Sequence, residues 1–220
     1  MKKIYNHSYP SLNNNDLRNV KELLQSKMIA SGSQNQKLSS VFFKNKKVIP
    51  CGSANQALIL ALRCLMECNK SNTILVSNYS CPSIFSVINF LNLKYEIVDI
   101  EKNYLISPKK VNDVLKKKNY LALVIPHIFG LKAKTYSFKK FKIPIIEDFA
   151  HTIPHNIKIY GDFAVFSFSA TKTIAGGEGG ILVINKNKYL GELNNLLFLK
   201  SKFNYSPFVM SDIQAKLILS

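Results

Sequence analysis

Apolar residues recur at helical spacing near the start of the chain. Five of them, between residues 11 and 29, share one face of a predicted helix: Leu17, Val20, Leu23, Leu24 and Met28. The small residues Ser31, Gly32 and Ser33 follow, and we expect them to end this helix.

Beyond this helix, short apolar runs alternate with amphipathic stretches. The runs predict strands at 47–50, 73–77, 95–99, 121–125, 143–147, 162–168 and 180–184. The amphipathic stretches predict helices near 54–67, 82–91, 108–117, 135–140, 187–200 and 210–219. Such alternation is typical of an α/β fold with a mostly parallel central sheet. Ligands of these sheets bind at the carboxyl ends of the strands, so candidate chemistry is sought there.

The composition is that of one ordinary globular domain. The chain has 220 residues, 47% of them hydrophobic, and no apolar run reaches the roughly 20 residues of a membrane span. The first residues are polar and charged, without the apolar core of a signal peptide. Four cysteines occur without a CxxC pair, which favours buried free thiols over a metal site. We therefore expect a cytoplasmic protein without a metal.

The net charge of +17 raises the question of nucleic-acid binding. Only Arg18 and Arg63 among the 30 basic residues are arginines, and arginine forks are the usual readers of phosphates and bases. The lysines are scattered, and no helix-turn-helix pattern appears. We expect neither specific nucleic-acid binding nor membrane binding, whereas an acidic ligand agrees with the charge.

Three segments at strand ends carry candidate chemistry, and the first is CGSANQAL at residues 51–58. Gly52 and Ser53 precede an apolar helix, whose first turn offers free N–H groups and a positive dipole end. This arrangement suits a phosphate. A serine that only caps the helix explains the same pattern.

The second segment, IIEDFAH at residues 145–151, places Glu147 and Asp148 directly after a predicted strand. One carboxylate could keep a cationic ring nitrogen of a cofactor protonated, and a role in capping is the alternative.

The third segment, residues 166–180, places Lys172 between a strand and a turn with four glycines. A desolvated lysine amine is a nucleophile for aldehydes. Lys172 alone carries little information, because the chain is rich in lysine. Its distance of 24 positions from Asp148, with a serine between them, is far more specific.

With these motifs in place, the chain resembles the DegT/StrS family of sugar aminotransferases, which belongs to fold type I of the pyridoxal phosphate enzymes. The resemblance covers nearly the whole chain and includes CGSANQAL, PHIFG at 126–130, EDFAH, SFSATK with its GGEGG tail, and MSDIQA at 210–215. It implies that residues 1–220 form the three-layer large domain of this fold, with an N-terminal helical segment over residues 1–30. It also implies that the family's smaller C-terminal domain is absent.

The resemblance also implies roles for individual residues. Lys172 would form the Schiff base with pyridoxal 5'-phosphate and then move the substrate proton. Asp148 would pair with the pyridine nitrogen, and His151 would lie near the phenolic oxygen. The phosphate would be held by four small residues, namely Gly52, Ser53, Ala54 and Ser167.

Two positions depart from the family pattern. Cys81 stands where many members have an aromatic that stacks on the cofactor, so stacking is either absent or supplied by Tyr79 or Phe85. Val209 stands where the family has an asparagine that reaches the partner subunit's phosphate, and it cannot make that hydrogen bond. His127 ends a predicted strand beside the cleft, and we interpret it as structural rather than catalytic.

Two functions agree with these features. In the first, the chain is a homodimeric aminotransferase that moves an amino group, most simply from glutamate, to a nucleotide-linked keto-sugar in surface polysaccharide or amino-sugar biosynthesis. In the second, it is a truncated, catalytically reduced homologue or half of a split enzyme. It would then bind the cofactor or a complementing chain without turnover of its own. Lys172 disfavours the dehydratase relatives, which have histidine at this position.

Overall fold

The computed structural model describes residues 12–27, 33–44, 46–201 and 210–219. Over these ranges seven strands form one sheet: β1 (Lys47–Cys51), β2 (Thr73–Ser77), β3 (Lys94–Val98), β4 (Ala122–Pro126), β5 (Ile145–Asp148), β6 (Phe163–Ser167) and β7 (Gly180–Ile184). Their order across the sheet is β1-β7-β6-β5-β4-β2-β3. β7 is antiparallel to both of its neighbours, and the pairs from β6 to β3 are parallel. The predicted α/β fold with a mostly parallel sheet is confirmed.

Helices cover both faces of the sheet. They are α1 (Asn14–Ser26), α2 (Gln34–Phe42), α3 (Ala54–Cys68), α4 (Pro82–Phe90), α5 (Pro108–Leu115), α6 (Leu190–Ser201) and α7 (Asp212–Leu219). Side chains of α3, α4 and α6 pack with one face, and those of α2, α5 and α7 pack with the other. All five residues of β2, β4 and β7 are buried, as expected for strands with both faces covered. No helix in the described ranges is long and apolar enough to cross a bilayer.

The structure differs from the sequence prediction in three helical segments. α2 was not predicted, because Leu38 is its one buried residue and the apolar signal is short. Thr135–Phe141 is a 3-10 helix, and Phe138 and Phe141 pack at the spacing of three that this helix requires. Asn187–Tyr189 is also a 3-10 turn, after which α6 begins.

The first predicted helix is shorter than expected. Asn13 caps α1 together with Asp16, whose side chain accepts from the Asn13 N–H, and Lys27 ends it with a left-handed φ of 60°. Met28 of the apolar face lies outside the described residues, as do Ser31 and Gly32, two of the three residues predicted to end this helix. The third, Ser33, is the N-cap of α2.

The four cysteines are free, but the prediction that all are buried is only half correct. Cys51 and Cys64 are buried, whereas Cys68 and Cys81 are exposed. Burial raises the pKa of the Cys51 thiol to about 12 and, with help from the neighbouring Cys68, that of Cys64 to about 12. These two thiols are therefore inert packing groups at neutral pH.

The first turn of α3 lies directly on the start of β7. A Cβ built on Gly180 would come within 2.4 Å of the Ala54 nitrogen and the Ser53 carbonyl carbon, both of them backbone atoms. Gly180 itself pairs with Cys51 of β1 and Ser167 of β6, so it cannot move aside without breaking both ladders. The absence of a side chain at position 180 is therefore a packing requirement.

We expect Gly180→Ala to destabilise the protein by about 1–3 kcal/mol, the usual range for overpacking against atoms that cannot yield. The measurement is urea unfolding followed by circular dichroism. Gly191→Ala is the matched control, because a Cβ on Gly191 in α6 meets no atom within 4 Å. The control should gain about 0.5–1 kcal/mol from helix propensity. Equal stability of the two variants would contradict the packing argument.

Candidate active site

A cleft of about 360 Å³ opens at the carboxyl ends of the central strands. Pro126, Asp148 and Ser167, the last residues of β4, β5 and β6, lie on its walls together with the N-terminal ends of α3 and α4. This is the edge at which parallel sheets bind ligands. Seven of the eight predicted site residues line it: Ser53, Ala54, Cys81, Asp148, His151, Ser167 and Lys172.

One end of the cleft is a helix start. Ser53 is the N-cap of α3, and its Oγ accepts from the Gln56 N–H at 3.2 Å. Ser53 therefore does cap the helix, as the alternative interpretation predicted. Ala54 and Asn55 of the first turn also line the cleft, so capping does not exclude a binding role for this turn. Gly52 does not; a Cβ there would meet Gln56 Oε1 at 2.6 Å. The N-terminus of α3 thus presents its positive dipole end to the cleft.

Asp148 is the acid that faces the cleft. Its Oδ1 accepts from the Ala150 N–H at 2.9 Å, and its side chain remains partly accessible from the cleft. Desolvation by the surrounding protein raises the pKa of this carboxyl. The hydrogen bond from Ala150 opposes this shift, as do the charges that His151 and Lys172 carry when they are protonated. A carboxylate in this setting gains strongly from a cation placed next to it.

His151 stands beside Asp148 at the wall of the cleft. Its ring stacks on Phe129, with centroids 5.3 Å apart, and its Nδ1 accepts from the Phe129 N–H at 3.4 Å. Desolvation and the charge of Lys172 lower its pKa, although Asp148 opposes them. His151 is therefore neutral at physiological pH, with Nε2–H as its donor.

Lys172 lies in the tight turn between β6 and β7. Its N–H donates to the Ser169 carbonyl at 2.9 Å, and the turn closes where the Gly176 N–H donates to the Phe168 carbonyl at 2.8 Å. A Cβ on Gly176 would lie 2.4 Å from Ile218 of α7, so α7 packs directly on this turn. Two further glycines of the turn have positive φ angles, at Gly177 (76°) and Gly179 (140°).

Cys81 is the N-cap of α4 and lines the cleft, with its Sγ accepting from the Ser83 hydroxyl at 3.2 Å. Neither candidate for a replacement aromatic lines the cleft. Tyr79 packs beside Tyr104 and Phe129, and Phe85 packs edge-on against Tyr95 of β3. Val209 lies outside the described residues.

Sequence reasoning missed several polar residues of the cleft, among them Ser169, Thr171 and Glu178. Ser169 and Thr171 precede Lys172 in the same turn, and their hydroxyls lie 3.3 Å apart. Their closeness to the lysine was the available signal. The alternation of side chains along a strand could likewise have separated Asp148, which faces the cleft, from Glu147, which is buried behind it.

Solved structures share this architecture. PseC of Helicobacter pylori, an aminotransferase involved in the biosynthesis of pseudoaminic acid, superposes with a TM-score of 0.84 at 23% identity. The PLP-form of the sugar aminotransferase Spr1654 from Streptococcus pneumoniae gives 0.84 at 21%. A variant of the dehydratase ColD with bound GDP-perosamine gives 0.81 at 16%. These matches cover 98–99% of this chain, which spans about two thirds of the length of those proteins: 64%, 66% and 67%.

A family model also matches the sequence itself, over residues 10–199. The matched segment contains every residue that lines the cleft. Since the match covers most of the chain, this protein belongs to the DegT/DnrJ/EryC1/StrS aminotransferase family.

Proposed function

We propose that residues 1–220 act as the cofactor-binding large domain of a pyridoxal 5'-phosphate-dependent sugar aminotransferase. The amino group would pass from glutamate to a nucleotide-linked keto-sugar in surface polysaccharide or amino-sugar biosynthesis. The observation that carries the proposal is the meeting of Asp148, Lys172 and the α3 N-terminus in one cleft. The cofactor supplies an electron sink, which no amino-acid side chain provides.

The donor set of the cleft suits this cofactor. The first turn of α3, with Ser53 and Ala54, and the hydroxyl of Ser167 suit a phosphate at one end. Asp148 suits a protonated ring nitrogen, because a cation offsets the desolvation of its carboxylate. Gly52 does not line the cleft, so we do not expect it to contact the phosphate. Its lack of a side chain would instead allow the narrow turn that precedes α3.

The remaining residues would serve the chemistry. Lys172 lies in the wall beside Asp148. It would supply the amine that holds the cofactor, and it would then carry the proton from the Cα of the amino donor to the C4′ carbon. His151, neutral and stacked on Phe129, would donate from Nε2 to the phenolic oxygen. Cys81 would lie against the cofactor ring in place of an aromatic, giving a weaker contact.

The related fold of a dehydratase shows that the architecture alone does not choose the reaction. The choice of amino transfer rests on Lys172, a primary amine that can be both the covalent anchor and the proton carrier. We further propose a homodimer, because the open cleft leaves room for residues of a second subunit or of a complementing chain.

We expect the purified protein to show the visible absorption of a lysine-bound pyridoxal. Borohydride should fix the cofactor on the peptide that contains Lys172, as detected by mass spectrometry. Lys172→Ala should lack the band, whereas Lys186→Ala, which removes a lysine outside the cleft, should keep it. A wild-type protein that never takes up the cofactor would contradict the proposal.

Glutamate then separates the two functions. For an active aminotransferase, glutamate should replace the band with that of the amine form of the cofactor. A protein that keeps its band with glutamate, alone and with a complementing chain, would be the catalytically reduced homologue instead.

Asp148→Asn should stabilise the cofactor-free protein near neutral pH and weaken cofactor binding. The raised pKa means that ionising Asp148 is harder in the folded than in the unfolded chain. This penalty is present above the folded pKa and disappears as the pH falls below the ordinary carboxyl value of about 3.9. The stability gain of the asparagine variant should therefore shrink as the pH is lowered.

The measurements are unfolding free energies at several pH values and a pyridoxal phosphate titration. Asp99→Asn is the matched control, since the hydrogen bond from Lys110 lowers the pKa of this exposed carboxyl. The control should show no gain at neutral pH. A loss of stability in Asp148→Asn at neutral pH would refute the desolvation argument.

A further inference from the structure

A buried pair of ionisable side chains, His127 and Glu147, lies directly behind Asp148. Only 3% of His127 and 1% of Glu147 is exposed. Glu147 precedes Asp148 in β5 and points to the other face of the sheet, whereas His127 follows β4 and also forms part of the cleft wall. The pair therefore connects the cleft to the protein interior.

Both ring nitrogens of His127 are used by the protein. Nδ1 lies 3.1 Å from the Ala133 N–H, and Nε2 lies 3.2 Å from Glu147 Oε1. A backbone amide can only donate, so Nδ1 must accept and carries no proton. Nε2 therefore holds the proton and donates it to the carboxylate, which makes the ring neutral.

Glu147 ties a second segment to the same ring. Its other oxygen, Oε2, accepts from the Tyr160 N–H at 2.7 Å and the Gly161 N–H at 2.6 Å. All three of its partners are donors, and a carboxylate offers acceptors for all of them. The segment just before β6, which contains Tyr160 and Gly161, is thus linked to His127 through Glu147.

The same histidine holds the chain around Asp148. Its backbone N–H donates to the Asp148 carbonyl at 2.9 Å. Its ring lies parallel to Phe149 at 4.0 Å, and Phe149 in turn stacks on Phe166 at 5.1 Å. The residue before Asp148, the residue after it and its own carbonyl are therefore all fixed by contacts to His127.

Within the described ranges one backbone N–H reaches the Asp148 carboxyl, that of Ala150, two residues along the chain. That local bond moves with the chain and does not set where the carboxyl points into the cleft. We propose that His127 is a positioning residue whose neutral ring, held between Glu147 and Ala133, places the Asp148 carboxylate against the cationic ring of the cofactor. This inference rests on the proposed function.

The test separates positioning from simple support of the fold. His127→Phe keeps the stacking on Phe149 and loses both hydrogen bonds, whereas His127→Gln keeps an amide donor within reach of Glu147. Cofactor dissociation constants are measured for both, and for the exposed His155→Gln as the matched control. We expect His127→Phe to bind on the order of tenfold more weakly, as when partners that orient a ligating group are removed. His127→Gln should recover part of the loss, and His155→Gln should match the wild type.

A double-mutant cycle with Asp148→Asn shows whether His127 affects cofactor binding through Asp148. If His127 works through the aspartate, His127→Phe should weaken binding little further in the Asp148→Asn background. Additive losses would overturn the inference and leave His127 as an ordinary core residue. Should His127→Phe fail to fold, the cycle is run with His127→Gln and judged by the same criterion.

A nitrogen NMR spectrum of the cofactor-free protein provides a readout without bound ligand. It should show His127 as the neutral Nε2–H form, and a protonated or Nδ1–H ring would overturn the inference. The two proposals fail differently. If the wild-type protein binds no cofactor, both the proposed function and the inference are wrong. If it binds the cofactor tightly, and His127→Phe either leaves the dissociation constant unchanged or adds its full loss to that of Asp148→Asn, only the inference is wrong.

Discussion

The start of α3 rests on the backbone of β7 at Gly180, and the cleft depends on this contact. β7 lies between β1 and β6 in the sheet. The end of β1 and the start of α3 therefore lie next to β7 and β6, which come much later in the chain. Ser53 and Ala54 are thereby placed across from Ser167 and Lys172. A side chain at position 180 would separate the helix start from the lysine turn, because both neighbouring ladders prevent β7 from moving.

Charge burial is the second constraint on this site. Asp148 is held where ionisation is unfavourable, and the nearby cations only partly compensate. The protein thus accepts a local instability that a cationic ligand would remove, which is the usual trade between stability and function at a binding site. Glu147, one residue away, shows the opposite solution, since three donors satisfy it within the fold. Glu147 and Asp148 are adjacent in β5 but face different sides of the sheet. Glu147 therefore stabilises the fold, whereas Asp148 is left available for a ligand.

Much of the fold could be predicted from local patterns. The seven strands lie within three residues of their predicted bounds, because continuous apolar runs report strands that are covered on both faces. α2 was missed because its stability comes from packing on α7, far away in sequence, and not from its own apolar pattern. The motif spacing identified Asp148 and Lys172. It did not reveal the hydrogen-bonded pair of His127 and Glu147, which connects the end of β4 to β5. The contact of His127 with Glu147 spans 20 residues and leaves no periodic signal.

The sequence by itself determined the α/β class, the family resemblance and the residue types available for chemistry, since these depend on periodicity and on motifs read along the chain. Only the tertiary structure decided that His127 and Glu147 form a buried pair behind the cleft, that neither Tyr79 nor Phe85 lines the cleft, and that Gly52 shapes the turn without lining it. The physical reason is the same in each case. Which way a side chain points, and what it meets there, depends on strands and helices that are distant in sequence and adjacent only after folding.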